Sequence, residues 1–160
     1  MRNEKREMTE EQVLQRLMAL CARGEHSSGE MLEKMRRWDV DDEAQARIMQ
    51  RLINERYVDD ERFARAFVND KIKYNQWGSR RIEQALWQKG IDKETRQTVL
   101  AEIDDEQYLE VLRPLLKTKA RSVKANSEYE RQMKLARFAM GRGFTFNLIQ
   151  QCLPDADNLE

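Results

Sequence analysis

Three segments of this 160-residue chain decide its fold: SGEMLEKMRRWDV at 28–40, SRRIEQALWQKGI at 79–91 and QMKLARFAMGRGF at 132–144. They align without gaps, at offsets of 51 and then 53 residues. In each segment apolar residues recur three and four positions apart. A short stretch that would end a helix follows, and then one apolar residue that precedes the next helix. This spacing predicts a helix and a turn into another helix. Self-similarity at this period indicates a repeat protein.

Helical apolar stripes also flank each segment. The pairs that precede the segments are Val13 and Leu17, Phe63 and Phe67, and Leu112 and Leu116; the pairs that follow are Ile48 and Leu52, Val99 and Ile103, and Ile149 and Leu153. We therefore predict an all-α fold, an elongated, curved array of three tandem three-helix repeats at 9–56, 57–103 and 104–153. A flexible N-terminus at 1–8 and a C-terminal tail at 154–160 complete the chain. Each unit is too small to bury its apolar face alone, so neighbours should pack together.

Capping patterns mark several helix ends. Thr9 with Gln12, Ser27 with Glu30, and Ser127 with Glu130 have the spacing of a capping box. Gly90 and Gly143 stand where a helix ends in a left-handed residue. Pro114 lies inside the first helix of the third unit, where it removes an N–H and predicts a kink or a new start.

An acidic tetrad recurs as VDDE at 40–43 and 58–61 and as IDDE at 103–106. Neighbouring carboxylates on a helix point about 100° apart, so they cannot readily chelate one metal ion. Each tetrad follows an apolar residue that ends one element and precedes the apolar period of the next. We therefore interpret the first Asp as a helix N-cap rather than as part of a metal or acid–base site.

The chain offers no other catalytic constellation. His26 is its one histidine and directly precedes a predicted N-cap, and Cys21 and Cys152 lie on apolar helical faces as buried, reduced thiols. The sequence contains no phosphate-binding glycine loop and no Cys/His metal spacing. We expect no catalytic residue, no metal ion and no cofactor.

Charge is balanced overall but distributed unevenly. The chain has 29 basic and 29 acidic residues, yet nine Lys/Arg face two Glu between Arg113 and Arg142. Such an excess suits phosphates or an acidic protein groove, although Lys and Arg also form ordinary solvated helix faces. The predicted partner- or DNA-facing basic residues are Arg80, Arg81, Lys89, Lys117, Lys119, Arg121, Lys124, Lys134, Arg137 and Arg142.

Trp87 lies off its helix's apolar stripe, so it either packs on a neighbouring unit or forms an exposed aromatic anchor.

No apolar run approaches the roughly 18 residues that a membrane span needs, and the N-terminus carries no apolar signal core. We expect a cytoplasmic protein without membrane contact.

With the repeats in place, the chain resembles the RecX family, bacterial modulators of the RecA recombinase. The resemblance runs from about Val13 to Leu153. It is carried by EHSSGEML at 25–32 with Lys34 and Met35, YVDDERFARAFV at 57–68, RIEQALWQKGI at 81–91 and KLARFAMGRGF at 134–144. Their order and spacing make the match more specific than any one of them alone.

The resemblance implies tandem three-helix repeats without catalytic activity. It implies binding to RecA and to its nucleoprotein filament on single-stranded DNA, in the filament groove, with restraint of recombinase, ATPase and co-protease activity. We also expect a monomer and, because the net charge is zero, at most weak intrinsic affinity for single-stranded DNA. The alternative is a free-standing DNA-binding protein acting without RecA, which needs a recognition helix; the third helix of unit two is a poor candidate because it starts with Asp92.

Overall fold

The structure is a computed structural model that describes residues 7–153 and places nine α-helices in that part of the chain. Most of the predicted flexible N-terminus (1–6) and the predicted C-terminal tail (154–160) lie outside the described residues. The helices are α1 Glu10–Arg23, α2 Ser28–Arg37, α3 Asp42–Asn54, α4 Asp60–Lys73, α5 Ser79–Gln88, α6 Lys93–Ala101, α7 Asp105–Ala120, α8 Glu128–Gly141 and α9 Phe146–Cys152. No strand occurs between residues 7 and 153, so the all-α prediction is confirmed.

The helices pack in three consecutive groups of three. In the first group α1 and α2 lie on α3; in the second and third, each helix contacts the other two of its group. Between the groups, the main helix contact is that of α4 with α7. This arrangement is the predicted helical repeat, and we call the groups units one, two and three.

The buried apolar side chains form two clusters. Units two and three share one core that includes Val68, Leu86 and Leu112. Unit one has its own core, in which Leu17 and Leu52 are fully buried. The expectation that every unit needs its neighbour to bury an apolar face therefore holds for units two and three, whereas unit one closes its core mainly with its own helices.

The acidic tetrads are helix caps, as predicted. The side chain of Asp41 accepts a hydrogen bond from the Ala44 N–H at 2.8 Å. The side chains of Asp59 and Asp104 likewise accept a hydrogen bond from the N–H of the third residue of α4 and of α7, each at 3.0 Å. A carboxylate at this position satisfies an unpaired N–H and lies at the positive end of the helix dipole.

The other predicted helix signals hold with two qualifications. Thr9 and Ser27 form complete capping boxes. Ser127 caps α8, but the Glu130 carboxylate accepts from the Asn126 N–H at 3.0 Å instead of closing the box. Pro114 lies within one continuous helix, α7, so no new helix starts there.

Successive second helices meet end to end. At the start of α5, the Gly78 N–H donates to the Arg142 carbonyl at 2.9 Å and the Arg80 N–H donates to the Gly143 carbonyl at 3.0 Å. The start of α2 meets the end of α5 in the same way, where the Ser27 hydroxyl donates to the Lys89 carbonyl at 2.7 Å. The first turn of one helix thus lies on the last turn of the second helix in the next unit, and each end provides partners for the other's unpaired backbone groups.

A basic and aromatic face at the junction of units two and three

One arginine and one lysine side chain flank an indole ring just before α5. The Arg81 guanidinium lies 4.3 Å from the centroid of Trp77, and the Lys71 ammonium lies 5.0 Å from it. Lys71 is also 5.2 Å from the ring of Phe67. At these distances a cation is attracted by the negative face of an aromatic ring. The ring therefore holds both positive charges in place without neutralising either.

A second ring on α8 holds two more cations. The Lys119 ammonium at the end of α7 lies 4.9 Å from the centroid of Phe138, and the Arg142 guanidinium lies 5.5 Å from it. Arg142 also donates to the Asn75 carbonyl at 3.0 Å, which connects unit three to the loop that carries Trp77. We call the set Lys71, Trp77, Arg81, Lys119, Phe138 and Arg142 the junction face. Among residues 7–153, no carboxylate forms an ion pair with any of its four cations.

Two of the predicted basic residues extend this face along the α7–α8 loop. Lys134 donates to the Lys124 carbonyl at 2.6 Å and pairs with Glu130 at 3.2 Å. The Asn126 N–H and, to a smaller extent, Lys134 lower the pKa of Glu130. The charge of Lys134 is therefore partly compensated, whereas Lys124 is exposed and has no ion pair in the described part of the chain.

The remaining predicted basic residues lie elsewhere. Arg80, Lys117, Arg121 and Arg137 are exposed and lack an ion pair among the described residues. Lys89 lies at the junction of units one and two, 3.8 Å from Glu30. The structure therefore places Arg81, Lys119 and Arg142 against two aromatic rings and connects Lys134 to Lys124. Within residues 7–153, the side chains of the other five predicted residues make no hydrogen bond, ion pair or cation–π contact with this set.

Trp87 is 65% exposed, so the indole does not pack on a neighbouring unit. Its role as an aromatic anchor stays a prediction.

The histidine and the two cysteines, which are the chain's candidate reactive groups, make contacts that suit a structural role. His26 contacts the Glu30 carboxylate at 3.1 Å beside the capping box of α2. Cys21 and Cys152 are half-buried rather than fully buried, and desolvation raises the pKa of both thiols, which disfavours the nucleophilic thiolate. No group of three or more His, Cys, Asp or Glu within residues 7–153 could hold a metal ion.

Sequence reasoning does not single out Trp77 or Phe138. Phe138 stands four residues before Arg142, and this spacing places an aromatic ring and a cation on one helical face. The signal was therefore present on α8. Trp77 precedes its helix, so helical spacing does not predict its contact with Arg81, which depends on the turn into α5.

The fold and the junction face define a helical-repeat protein with a surface of cations packed on aromatic rings. The family model described as "RecX, second three-helix domain" matches residues 59–100, and that described as "RecX, third three-helix domain" matches residues 105–153. Together they cover more than half of the chain, and their limits enclose α4–α6 and α7–α9 to within a residue. The chain belongs to the RecX family.

Individual relatives agree with this assignment. The regulatory protein RecX of Oceanobacillus iheyensis is 28% identical over 134 residues, which make up 84% of this chain and 49% of that protein. The regulatory protein RecX of Clostridium botulinum strain Eklund 17B is 32% identical over 106 residues, which make up 65% of this chain and 49% of that protein. The chain thus spans about half the length of these curated relatives.

Solved structures share the fold. The crystal structure of RecX from Lactobacillus salivarius superposes with a TM-score of 0.85 at 19% identity, over 93% of this chain and 97% of that one. A second crystal structure, of a regulatory protein RecX, gives a TM-score of 0.82 at 20% identity over 89% of this chain and 72% of that chain. None of the helices in the described part of the chain combines the length and apolar character needed to cross a bilayer.

Proposed function

We propose that this protein is a non-enzymatic regulator that binds RecA and RecA filaments on single-stranded DNA. In this proposal it lies in the filament groove and inhibits recombinase, ATPase and co-protease activity, acting as a cytoplasmic monomer. Membership of the RecX family supports a regulatory role. The units at 9–56, 57–103 and 104–153 are the proposed repeats.

The junction face is the observation that carries the proposal. Its four cations are held by aromatic rings instead of carboxylates, so their charge remains available to a partner. A nucleoprotein filament presents phosphates and acidic side chains. Binding cations to phosphates releases counterions, so the affinity should fall as salt rises.

The test measures RecA ATP hydrolysis on single-stranded DNA with substoichiometric amounts of the protein, followed by filament affinity at several salt concentrations. We expect slower hydrolysis with the wild type. We expect the double variant Arg81→Ala/Lys119→Ala to bind more weakly, with a salt slope smaller in magnitude by about 1.4, since each lost phosphate contact on single-stranded DNA removes roughly 0.7.

The matched control is Arg23→Ala/Lys93→Ala, which removes two exposed cations outside the junction face. It should leave both readouts unchanged. Unaltered hydrolysis at equimolar wild-type protein would refute the proposal. Equal affinity for free DNA and for the filament, without an effect on RecA, would instead favour the free-standing DNA-binding protein.

A further inference from the structure

The connection between units one and two passes directly from one apolar core to the other. Val58 is buried in the core of unit one, and Phe63 is the first residue after it that is buried in the core shared by units two and three. Only residues 59–62 lie between them. A few residues at the end of an element can act as a hinge. Rotation about this short connection would turn unit one relative to the rest and leave both cores packed.

Asp60 reaches across this connection. It is the first residue of α4, and its carboxylate accepts hydrogen bonds from the Ser28 N–H at 2.7 Å and from the Ser28 hydroxyl at 2.5 Å. Ser28 is the first residue of α2, where the backbone N–H has no partner within the helix and negative charge is favoured. Two hydrogen bonds to one carboxylate add geometric specificity. The carboxylate therefore defines how the start of α2 lies on the start of α4.

The first turn of α2 is also held by the end of α5. The Ser27 hydroxyl donates to the Lys89 carbonyl at 2.7 Å, and a methyl group at Gly29 would come within 2.4 Å of the same oxygen. By contrast, the main helix contact between units, that of α4 with α7, lies between units two and three. Clefts of about 520 Å³ and 510 Å³, each lined by residues of both units, open beside the contact of units one and two. Unit one therefore has space to turn if its polar contacts are lost.

The other two acidic tetrads show what is particular to Asp60. Asp42 and Asp105 have the same place in their tetrads, and each is the first residue of its helix. Both are exposed, and among residues 7–153 neither side chain makes a hydrogen bond or an ion pair. The favourable interaction with the helix dipole is common to all three aspartates. Contact with another unit is the feature that distinguishes Asp60.

We infer that Asp60 is a positioning residue, which holds unit one at a fixed angle to units two and three. Its effect on binding rests on the proposed function, because an array that lies in a filament groove has to match the curvature of that groove. A molecule whose unit one points in many directions binds more weakly, since only the fraction with the productive angle is competent. The junction face lies outside unit one, so the salt slope should not depend on Asp60.

Distances between two spin labels measure the angle of unit one. Exposed alanines on α1 and α6 take the labels through Ala19→Cys and Ala101→Cys, in a chain in which Cys21→Ser and Cys152→Ser remove the native thiols. Pulsed electron paramagnetic resonance then gives the distribution of distances between units one and two. We expect one narrow distance when Asp60 is present.

Three substitutions in the labelled chain isolate the role of the carboxylate. Asp60→Ala should lose the single narrow distance. Asp60→Asn keeps an oxygen for the Ser28 N–H and should largely restore it. Asp105→Ala, the matched control, removes the same charge from the first turn of the corresponding helix of unit three and should leave the distance unchanged.

The same substitutions in the unlabelled chain are tested for binding to RecA filaments on a fluorescent oligonucleotide. We expect Asp60→Ala to bind about fivefold more weakly, which corresponds to a productive angle in about one fifth of the molecules. The salt slope should equal that of the wild type. Asp105→Ala should bind as the wild type does.

The outcomes separate the inference from the proposed function. A distance distribution in Asp60→Ala as narrow as that of the parent overturns the inference. Loss of hydrogen-exchange protection throughout α1–α3 in this variant also overturns it, because Asp60 would then be needed to fold unit one rather than to orient it. A broad distribution with undiminished filament affinity overturns the role of Asp60 in binding. If the wild type does not bind filaments, the proposed function fails, and the distances alone decide whether Asp60 orients unit one.

Discussion

At the scale of the residue, the end of each second helix needs a left-handed backbone. Gly90 and Gly143 supply it in units two and three, with φ of 79° and 95°. In unit one the equivalent residue is Asp39, with φ of 56°. A residue with a Cβ is disfavoured in this region, although Asp tolerates it better than most. The Asp39 side chain is exposed, so no packing offsets the cost.

Asp39→Gly should therefore stabilise the protein. Relief of the left-handed strain outweighs the greater entropy of glycine in the unfolded chain, and we expect a gain of about 0.5–1 kcal/mol in the free energy of unfolding. Denaturant unfolding of unit one in the wild type and the variant measures this gain in the free energy of unfolding. The control is Asp42→Gly in the first turn of α3, which should lower stability by about 1 kcal/mol. A loss of stability at position 39 would show that the aspartate side chain stabilises the turn.

At the scale of the element, the sequence was most informative where a signal is local. Helix periods, the Asp41, Asp59 and Asp104 caps and the glycine ends all depend on residues within one or two turns of each other, and the structure confirms them. The junction face was not predicted as a unit, because Arg142 reaches Asn75 across 67 positions of sequence. No spacing rule predicts a contact between units, because such a contact depends on how the second helices of neighbouring units meet.

The end-to-end junction predicts opposite effects for two neighbouring glycines. A methyl group at Gly143 would overlap the Arg81 side chain and backbone, and φ there is already unfavourable for alanine. Gly143→Ala should lower the free energy of unfolding by about 2 kcal/mol or more. Gly141 is the last residue of α8 and has open space around it, so Gly141→Ala should raise the free energy of unfolding by about 0.5 kcal/mol, the low end of the glycine-to-alanine difference in a helix.

Hydrogen exchange locates the effect. The amides of Gly78 and Arg80 donate to the last turn of α8, so Gly143→Ala should increase their exchange more than that of amides inside α6. Uniform loss of protection across units two and three would contradict a local role for the junction.

At the scale of the whole molecule, the two cores divide the array unequally. Units two and three share one core and carry the entire junction face, whereas unit one is joined to unit two largely by polar contacts. The Ser28 N–H donates to the Asp60 carboxylate at 2.7 Å, and Arg62 pairs with Glu25 at 2.7 Å. The Arg62–Glu25 pair is exposed and contributes little stability. Ser28 and Asp60 are half-buried, but their contact does not join the two separate apolar cores. Unit one should therefore open without unfolding the rest.

A matched pair of core substitutions tests this division. Leu52 in unit one and Leu112 in the shared core both have 0% exposure, and truncation of a buried leucine to alanine costs about 2–5 kcal/mol. With Leu52→Ala, amides of α1–α3 should lose protection from hydrogen exchange while those of α4–α9 keep it; with Leu112→Ala, α4–α9 should lose it together. Since the junction face lies outside unit one, Leu52→Ala should also keep the wild-type salt slope for filament binding. Loss of protection throughout the chain in Leu52→Ala would mean that the polar contacts couple the three units into one cooperative fold.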